Sequence, residues 1–368
     1  MTIHRFNRLK TILSSSSLDA IAIIPSPSLR YLTGLEFHLM ERPVVLLIRA
    51  DGQAAMVLPA LEAGRLAGLS FSVTPFTYGD NPALWHTAFE QAAAHLKLES
   101  SVIGVESIHF RFLETQFLQT AAPHAKITAA DTLLSELRMH KDLEEIAAMK
   151  KAVKIAQDAL LATLNQVRLG ITERQIAAEL VSQLLRHGSD PELPFQPIVS
   201  TGPNSANPHA TPTDRTLQAG ELLLIDWGAS SGGYISDLTR VMAFGPLPDE
   251  LQTIHGLVHR ANRAALAAAR PGVPAGKVDQ AARQVIEKGG YGAQFNHRVG
   301  HGIGLEAHEH PYMFTENQQI LMRGAAFTIE PGIYLPGFGG VRIEDDVVIT
   351  PDGAECLSDL PREIFQLE

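Results

Sequence analysis

LLLIDWGASSGGYISDLTRVMAF, residues 222–244, is a pair of apolar runs joined by a Gly-rich turn at Gly232 and Gly233, the pattern of a β-hairpin. Each run carries one carboxylate where an apolar residue is expected: Asp226 after Leu-Leu-Leu-Ile, and Asp237 after Tyr-Ile-Ser. A buried carboxylate is costly unless something neutralises it, and two on facing strands repel unless a cation lies between them. The last quarter of the chain repeats the pattern. AFTIEPGIYL (326–335) places Glu330 after apolar residues, a turn follows at 336–340, and VRIEDDVVI (341–349) brings Glu344. The paired carboxylates are 11 positions apart in the first hairpin and 14 in the second. Two hairpins related by a pseudo-twofold axis would bring four carboxylates to one point.

Between the hairpins runs FNHRVGHGIGLEAHEHP (295–311), with His297, His301, His308 and His310. Its glycines Gly300, Gly302 and Gly304 let backbone approach a ligand closely. One imidazole with four carboxylates is a hard, oxygen-rich ligand set. It suits manganese or cobalt, with zinc as a further possibility, better than it suits a tetrahedral structural zinc site. Four carboxylates exceed the charge of one divalent ion, so two ions about 3.5–4 Å apart are expected, sharing a water of lowered pKa. The remaining histidines are then available to donate to a developing oxyanion. By strand alternation Asp345 faces away from the ligand side, whereas Arg342 shares the face of Glu344 and is placed to pair with Asp226 or Glu344. His187, His255, His259 and His310 read as helix-surface or loop residues.

The other features set bounds. A length of 368 residues suggests two domains or one large one. A net charge of −10 without a basic stripe weighs against nucleic acid and against an anionic membrane surface as partners. The one cysteine, Cys356, excludes disulfides and cysteine-based zinc sites. No apolar run approaches the roughly 20 residues of a membrane-spanning helix, and the basic N-terminus MTIHRFNRLKTILSSSSLDA lacks the apolar core of a signal peptide. The expected location is the cytoplasm.

Residues 1–138 read as an α/β domain. Strands at 20–24, 44–49, 54–58 and 102–105 alternate with helices at 2–13, 61–67, 85–97 and 111–119, and Tyr31–Gly34 reads as strand or turn. No phosphate-binding loop or titratable cluster stands out there. Residues 139–368 form the second domain. A long helix carries Ile146, Met149, Val153, Ala156 and Leu160 on one face, and Thr172 with Gln175 forms a capping box. A proline-rich loop precedes a short strand at 198–200. The turn-rich TGPNSANPHATP (201–212) presents His209, and helices follow at 249–268 and 277–287.

IVSTGPNSANPH, LLLIDWGASSGGYISDLTR, HRVGHGIGLEAHE, FTIEPGIY and GVRIEDDV each resemble a motif of the pita-bread metallopeptidase family, in the family's order. That family includes methionine aminopeptidase, aminopeptidase P and prolidase. The resemblance spans about residues 143–355. RYLTGLEF and ERPVVLLI resemble the creatinase/prolidase N-terminal domain, with Ser28 where an asparagine is common. The fold implied is an α/β N-terminal domain of creatinase/prolidase type, followed by an α+β pita-bread catalytic domain with pseudo-twofold hairpins. By resemblance, Asp226 is a terminal ligand of one ion, Asp237 and Glu344 bridge two ions, and His301 and Glu330 complete the coordination of the other ion. Glu330 also serves as general base. His308 hydrogen-bonds the scissile carbonyl or tetrahedral intermediate, His209 positions the leaving nitrogen, and His297 lines the proline-side pocket. A homodimer acting on X-Pro peptides is implied, as a dipeptidase or an aminopeptidase. A metal-dependent amidohydrolase for N-acyl amino acids would share every ligand. A non-catalytic pita-bread scaffold is the third reading, and the intact ligand set weighs against it.

Overall fold

The computed structural model describes residues 2–367, and the chain forms two compact units, Met1–Arg138 and Met139–Glu368. In the first unit, helix α1 (Thr2–Ser14) precedes strand β1 (Ala20–Ile23), α2 (Pro27–Thr33), β2 (Val45–Arg49), β3 (Ala54–Pro59) and β4 (Thr74–Tyr78). Helix α3 (Trp85–His95), β5 (Val102–Val105), α4 (Phe112–Ala121), β6 (Lys126–Ala129) and α5 (Asp131–Met139) follow. The strands make one mixed sheet in the order β4-β3-β2-β1-β5-β6. Alternate residues of its strands, among them Ala20, Ala22, Val45, Leu47, Val57 and Ile103, pack against Trp85, Phe89, Ala92 and Leu96 of α3 and its end. The opposite parity is also buried, as at Ile21, Ile23, Leu46 and Met56. These strands therefore read as unbroken apolar runs.

One local expectation for this unit is corrected. Residues expected as strand or turn form α2. Ser26 caps its first turn by accepting from Leu29 N, Pro27 takes the first helical position, and Gly34 closes it at φ 72°. Proline at that position loses no hydrogen bond, because the first turn's N–H groups have no helical acceptor. Ser28 is buried and donates to Glu106, as Ser26 does at 2.7 Å.

In the second unit, α6 (Leu143–Leu164) starts at Asp142 and α7 (Glu173–Arg186) at Thr172, each with a complete capping box. The chain continues through β7 (Ile198–Thr201), β8 (Leu222–Trp227), β9 (Ser230–Ser231), β10 (Tyr234–Ile235), β11 (Leu238–Phe244), α8 (Asp249–Ala268) and α9 (Ala275–Lys288). Strands β12 (Gly300–Gly302), β13 (Glu309–Met313), β14 (Ala326–Ile329), β15 (Gly332–Leu335), β16 (Gly339–Arg342), β17 (Asp345–Ile349), β18 (Ala354–Cys356) and β19 (Phe365–Leu367) complete it. Two main sheets form, in the orders β19-β11-β8-β7 and β13-β12-β14-β17-β18, with short ribbons β9/β10 and β15/β16.

The parity of β8 explains its apolar run. Leu222 and Leu224 join the core beneath α8 and α9, which also takes in Phe327, Ile329, Val347 and Ile349 of the other main sheet. Leu223, Ile225 and Trp227 face the core with Val153, Ala156 and Leu160 of α6 and Ile176 and Leu180 of α7. Asp226 shares the parity of Leu222 and Leu224, so it points to the side where the two halves meet.

Trp227 is fully buried and its indole donates to Ala156 O at 2.8 Å. Trp227→Phe removes this bond and leaves a void, with an expected cost of about 2 kcal/mol. It is read as a lower urea midpoint of the second unit's transition by tryptophan-independent circular dichroism.

Candidate active site

The hairpins break where the carboxylates fall, which the apolar runs alone do not reveal. Asp226 stays within β8, but Asp237 lies between β10 and β11. Glu330 lies between β14 and β15, and Glu344 between β16 and β17. Each arm leaves its main sheet there and enters a short ribbon. The halves are stitched at this level: Asp226 pairs with Thr239 in the β8/β11 ladder, and Thr239 bridges Glu344, whose N–H donates to Thr239 O at 3.2 Å. One row across the molecule therefore reads Asp226, Thr239, Glu344.

All nine residues singled out in the sequence line one cavity of about 470 Å³: His209, Asp226, Asp237, His297, His301, His308, Glu330, Arg342 and Glu344. Phe195, Ile198, Pro208, Ala307 and Tyr334 give it apolar walls, and Gln196 and Arg298 add polar ones. Asp237, His301 and Glu344 each turn a ligand atom inward, all within 4.8 Å of one another. Glu330 Oε1 is 3.2 Å from His301 Nε2, and Asp237 Oδ2 is 3.8 Å from it. Asp226 is held on the other side by Arg342, whose Nη2 donates to its Oδ2 at 2.5 Å.

The electrostatics of this set call for cations. Burial, then the charges of Glu344, Asp226 and Asp346, hold the Asp237 carboxyl well above the usual range. Burial, then Glu330 and Asp226, do the same to Glu344. Asp226 is raised by burial and only partly relieved by Arg342. Burial would raise Glu330 too, but the hydrogen bond and charge of His301 outweigh it and bring its carboxyl down to about 2. Asp226 Oδ1 and Asp237 Oδ1 are buried without a hydrogen-bond partner among the described residues.

His301 Nδ1 lies 3.1 Å from Gly302 O. A carbonyl only accepts, so Nδ1 donates to it, and Nε2 is left to face two carboxylates. A proton on Nε2 would serve one of them, whereas divalent ions serve the whole set. The residues fit divalent metal. The backbone holds them in place: Thr328 Oγ1 accepts from His301 N and donates to Glu330 Oε1, both at 3.1 Å.

The other histidines take distinct places. His297 Nδ1 donates to Arg298 O at 2.8 Å, so Nε2 accepts from the Tyr334 hydroxyl at 3.1 Å. That hydroxyl in turn accepts from Arg342 Nη1 at 3.0 Å. Burial lowers the pKa of His297 and raises Tyr334 to about 12, so at neutral pH the relay runs Arg342, Tyr334, His297 with each proton in place. The His308 ring lies 4.0 Å from that of His301. Desolvation in the cavity, then the His301 charge, bring it down to about 4, so it stays a neutral imidazole. His209 stands on its loop with Asn207 Oδ1 accepting from its backbone N–H.

Several details differ from the sequence reading or escaped it. Gly300 and Gly302 serve backbone against backbone rather than a ligand: a Cβ there would meet the carbonyls of Thr328 and His310. His255 is buried, not on the surface, with Nε2 at 3.0 Å from Arg362 O. Thr239 and Arg240 escaped the sequence reading, although they stand as the polar residues inside the apolar run LTRVMAF. Thr239 Oγ1 donates to Glu344 Oε2 at 2.6 Å and accepts from Arg342 Nε. Fully buried Arg240 holds Asp345 from the far side at 2.7 Å, and Asn262 and Arg362 also reach that carboxylate. Tyr334 gave no signal, since it stood as one more apolar strand residue.

Comparison with known proteins places these features in a family. The model of metallopeptidase family M24 matches residues 147–351, and that of the creatinase/prolidase N-terminal domain matches residues 5–140. The putative dipeptidase YkvY of Bacillus subtilis is 34% identical, over 99% of this chain and 100% of its own. An Xaa-Pro dipeptidase of Lactobacillus helveticus is also 34% identical, over 97% of each. The crystal structure of a dipeptidase from Pyrococcus horikoshii OT3 covers 99% of this chain and 100% of its own, with a TM-score of 0.93 and 35% identity.

Proposed function

The chain belongs to metallopeptidase family M24, with a creatinase/prolidase N-terminal domain at residues 5–140, and from that membership we propose that it hydrolyses X-Pro peptide bonds. The observation that carries this reading is the convergence of Asp226, Asp237, His301, Glu330 and Glu344 in one cavity, beside an imidazole–tyrosine–arginine relay. Those five residues would hold two divalent ions, manganese in preference to cobalt or zinc on the hardness of the donors. When bound, the ions supply Lewis acidity, lowering the pKa of water and polarising the scissile carbonyl.

The chain's own residues do the rest. Glu330 takes a proton from the attacking water as its oxygen joins the carbonyl carbon, and returns it to the proline nitrogen as the C–N bond breaks. His308, neutral at working pH, donates a hydrogen bond to the tetrahedral oxyanion. His209 orients the leaving nitrogen. His297, fixed by Tyr334, lines the proline side, while Arg342 holds Asp226 and Tyr334 in register. Residues 139–368 form the catalytic domain and 1–138 the supporting one, and the working form is a cytoplasmic homodimer.

A substrate panel tests the reading. With Mn²⁺ or Co²⁺, Ala-Pro or Met-Pro is hydrolysed, and N-acyl amino acids react at least about 100-fold more slowly, lacking the proline ring that the cavity orients. Comparable rates on N-acyl compounds would favour the amidohydrolase reading. X-Pro-Y tripeptides in the same panel separate dipeptidase from aminopeptidase.

A further inference from the structure

We propose that Glu173, outside the cavity and assigned no part in the reaction, is the positioning residue for the loop that presents His209. The proposal rests on the role given above to His209. Glu173 is the first residue of α7 and is fully buried. Its carboxylate ties together the two ends of the loop between Thr201, where β7 stops, and Thr213. Oε1 accepts from Thr201 N at 2.7 Å and Thr201 Oγ1 at 3.1 Å. Oε2 accepts from Thr213 N at 2.9 Å and Thr213 Oγ1 at 2.6 Å. Asn204 Nδ2 reaches both oxygens, at 3.0 and 3.2 Å.

Every one of these bonds points toward Glu173, and the α7 N-terminus adds a favourable field for negative charge. A carboxylate is acceptor-only at both oxygens, which the arrangement requires. The chain between the two threonines makes an excursion to the cavity, where Pro208 and His209 form part of the wall. The excursion is tethered at two further points. Ser205 Oγ donates to Gly202 O and accepts from Gly340 N, and Pro208 O lies 3.4 Å from Arg342 Nη1. The clamp at the base therefore sets where the tip, with His209, stands.

Glutamine keeps the shape of Glu173 but satisfies only one end of the loop. Its Nε2 hydrogens confront the N–H of the other threonine, and a backbone N–H cannot reverse its role. A displacement of about 1 Å at a positioning group costs up to about 100-fold in rate. Glu173→Gln is thus expected to lower kcat/KM on Ala-Pro by at least about tenfold, with the same kcat-to-KM split as His209→Ala. Placed in the His209→Ala background, it is expected to cost less than about threefold more, because the two act through one group.

Amide hydrogen exchange on the metal-free protein gives an independent readout: residues 202–212 exchange faster in Glu173→Gln, while the cores of α7 and β8 stay protected. Where Glu173→Gln yields no folded protein, Thr213→Val removes one of the six bonds and is read by the same cycle. Additive losses in the double variant, a different kcat-to-KM split, or uniform loss of protection would overturn the proposal. Inactivity of the wild-type protein on X-Pro peptides would instead overturn the functional reading, and the exchange experiment would still decide the clamp.

Discussion

Glu330→Gln lowers kcat on Ala-Pro by about a thousandfold, even at saturating metal. The carboxylate is held from two directions, by Thr328 Oγ1 at 3.1 Å and by His301 Nε2 at 3.2 Å. The hydrogen bond and charge of His301, with the charge of Arg342, keep it ionised against burial, so it can accept a proton. Glutamine preserves the volume and can still receive the threonine hydroxyl, so the cavity keeps its shape. It has no site for the proton, and the step that makes water nucleophilic loses its base. Parallel metal analysis separates the two roles given to this residue. A variant that still binds both ions and has lost kcat has lost the base, whereas one short of an ion has lost a ligand. A kcat within tenfold of wild type would remove Glu330 from the mechanism.

Asp237→Asn releases both ions, whereas Asp226→Asn releases one. The asymmetry follows from their neighbours. Asp237 turns an oxygen toward His301 and Glu344 within the same 4.8 Å cluster. Its carboxyl is held well above the usual range, by burial and by the four surrounding carboxylates of Glu344, Asp226, Asp346 and Glu330. Its ion-pair contact among the described residues is His301 Nε2 at 3.8 Å rather than an arginine, so the bridging place proposed for it predicts the greater dependence on metal. Asp226 already shares one oxygen with Arg342 at 2.5 Å and has only Oδ1 without a partner among the described residues. Its loss leaves the Asp237–His301–Glu344 cluster intact. Elemental analysis of the two variants after identical reconstitution gives the comparison. Equal stoichiometric loss would dismiss the bridging assignment of Asp237 while leaving a two-ion site in place.

The carboxylates that line the cavity were legible because each sits as a charge inside an apolar run, where only a neutralising partner makes burial tolerable. Arg342 was legible for a related reason, since strand parity gave it the face of Glu344. Tyr334 was not, because its hydroxyl finds His297 and Arg342, 37 and 8 residues away, only once the β15/β16 ribbon has folded back beside the segment that precedes β12. The interruption of the hairpins at Asp237, Glu330 and Glu344 was hidden likewise, since an apolar run does not say where a strand changes sheet.

In the first unit, β4 escaped notice because its alternation is only half apolar and it lies at the sheet edge. Helix α2 was missed although its signals stood in the sequence: Ser26 as cap, Pro27 at the first position and Gly34 at the end. Glu173 looked like an ordinary first-turn acid beside a capping threonine. Its loop lies 28 to 40 residues further on, so nothing local marked it as the clamp.

Metal titration of the chelated protein, with bound metal and Ala-Pro hydrolysis followed in the same samples, tests the central claim most directly. The expected result is no hydrolysis without metal, activity that rises with Mn²⁺ or Co²⁺, and two ions bound per chain at the plateau. Full hydrolysis after exhaustive chelation, or a plateau without bound metal, would contradict it.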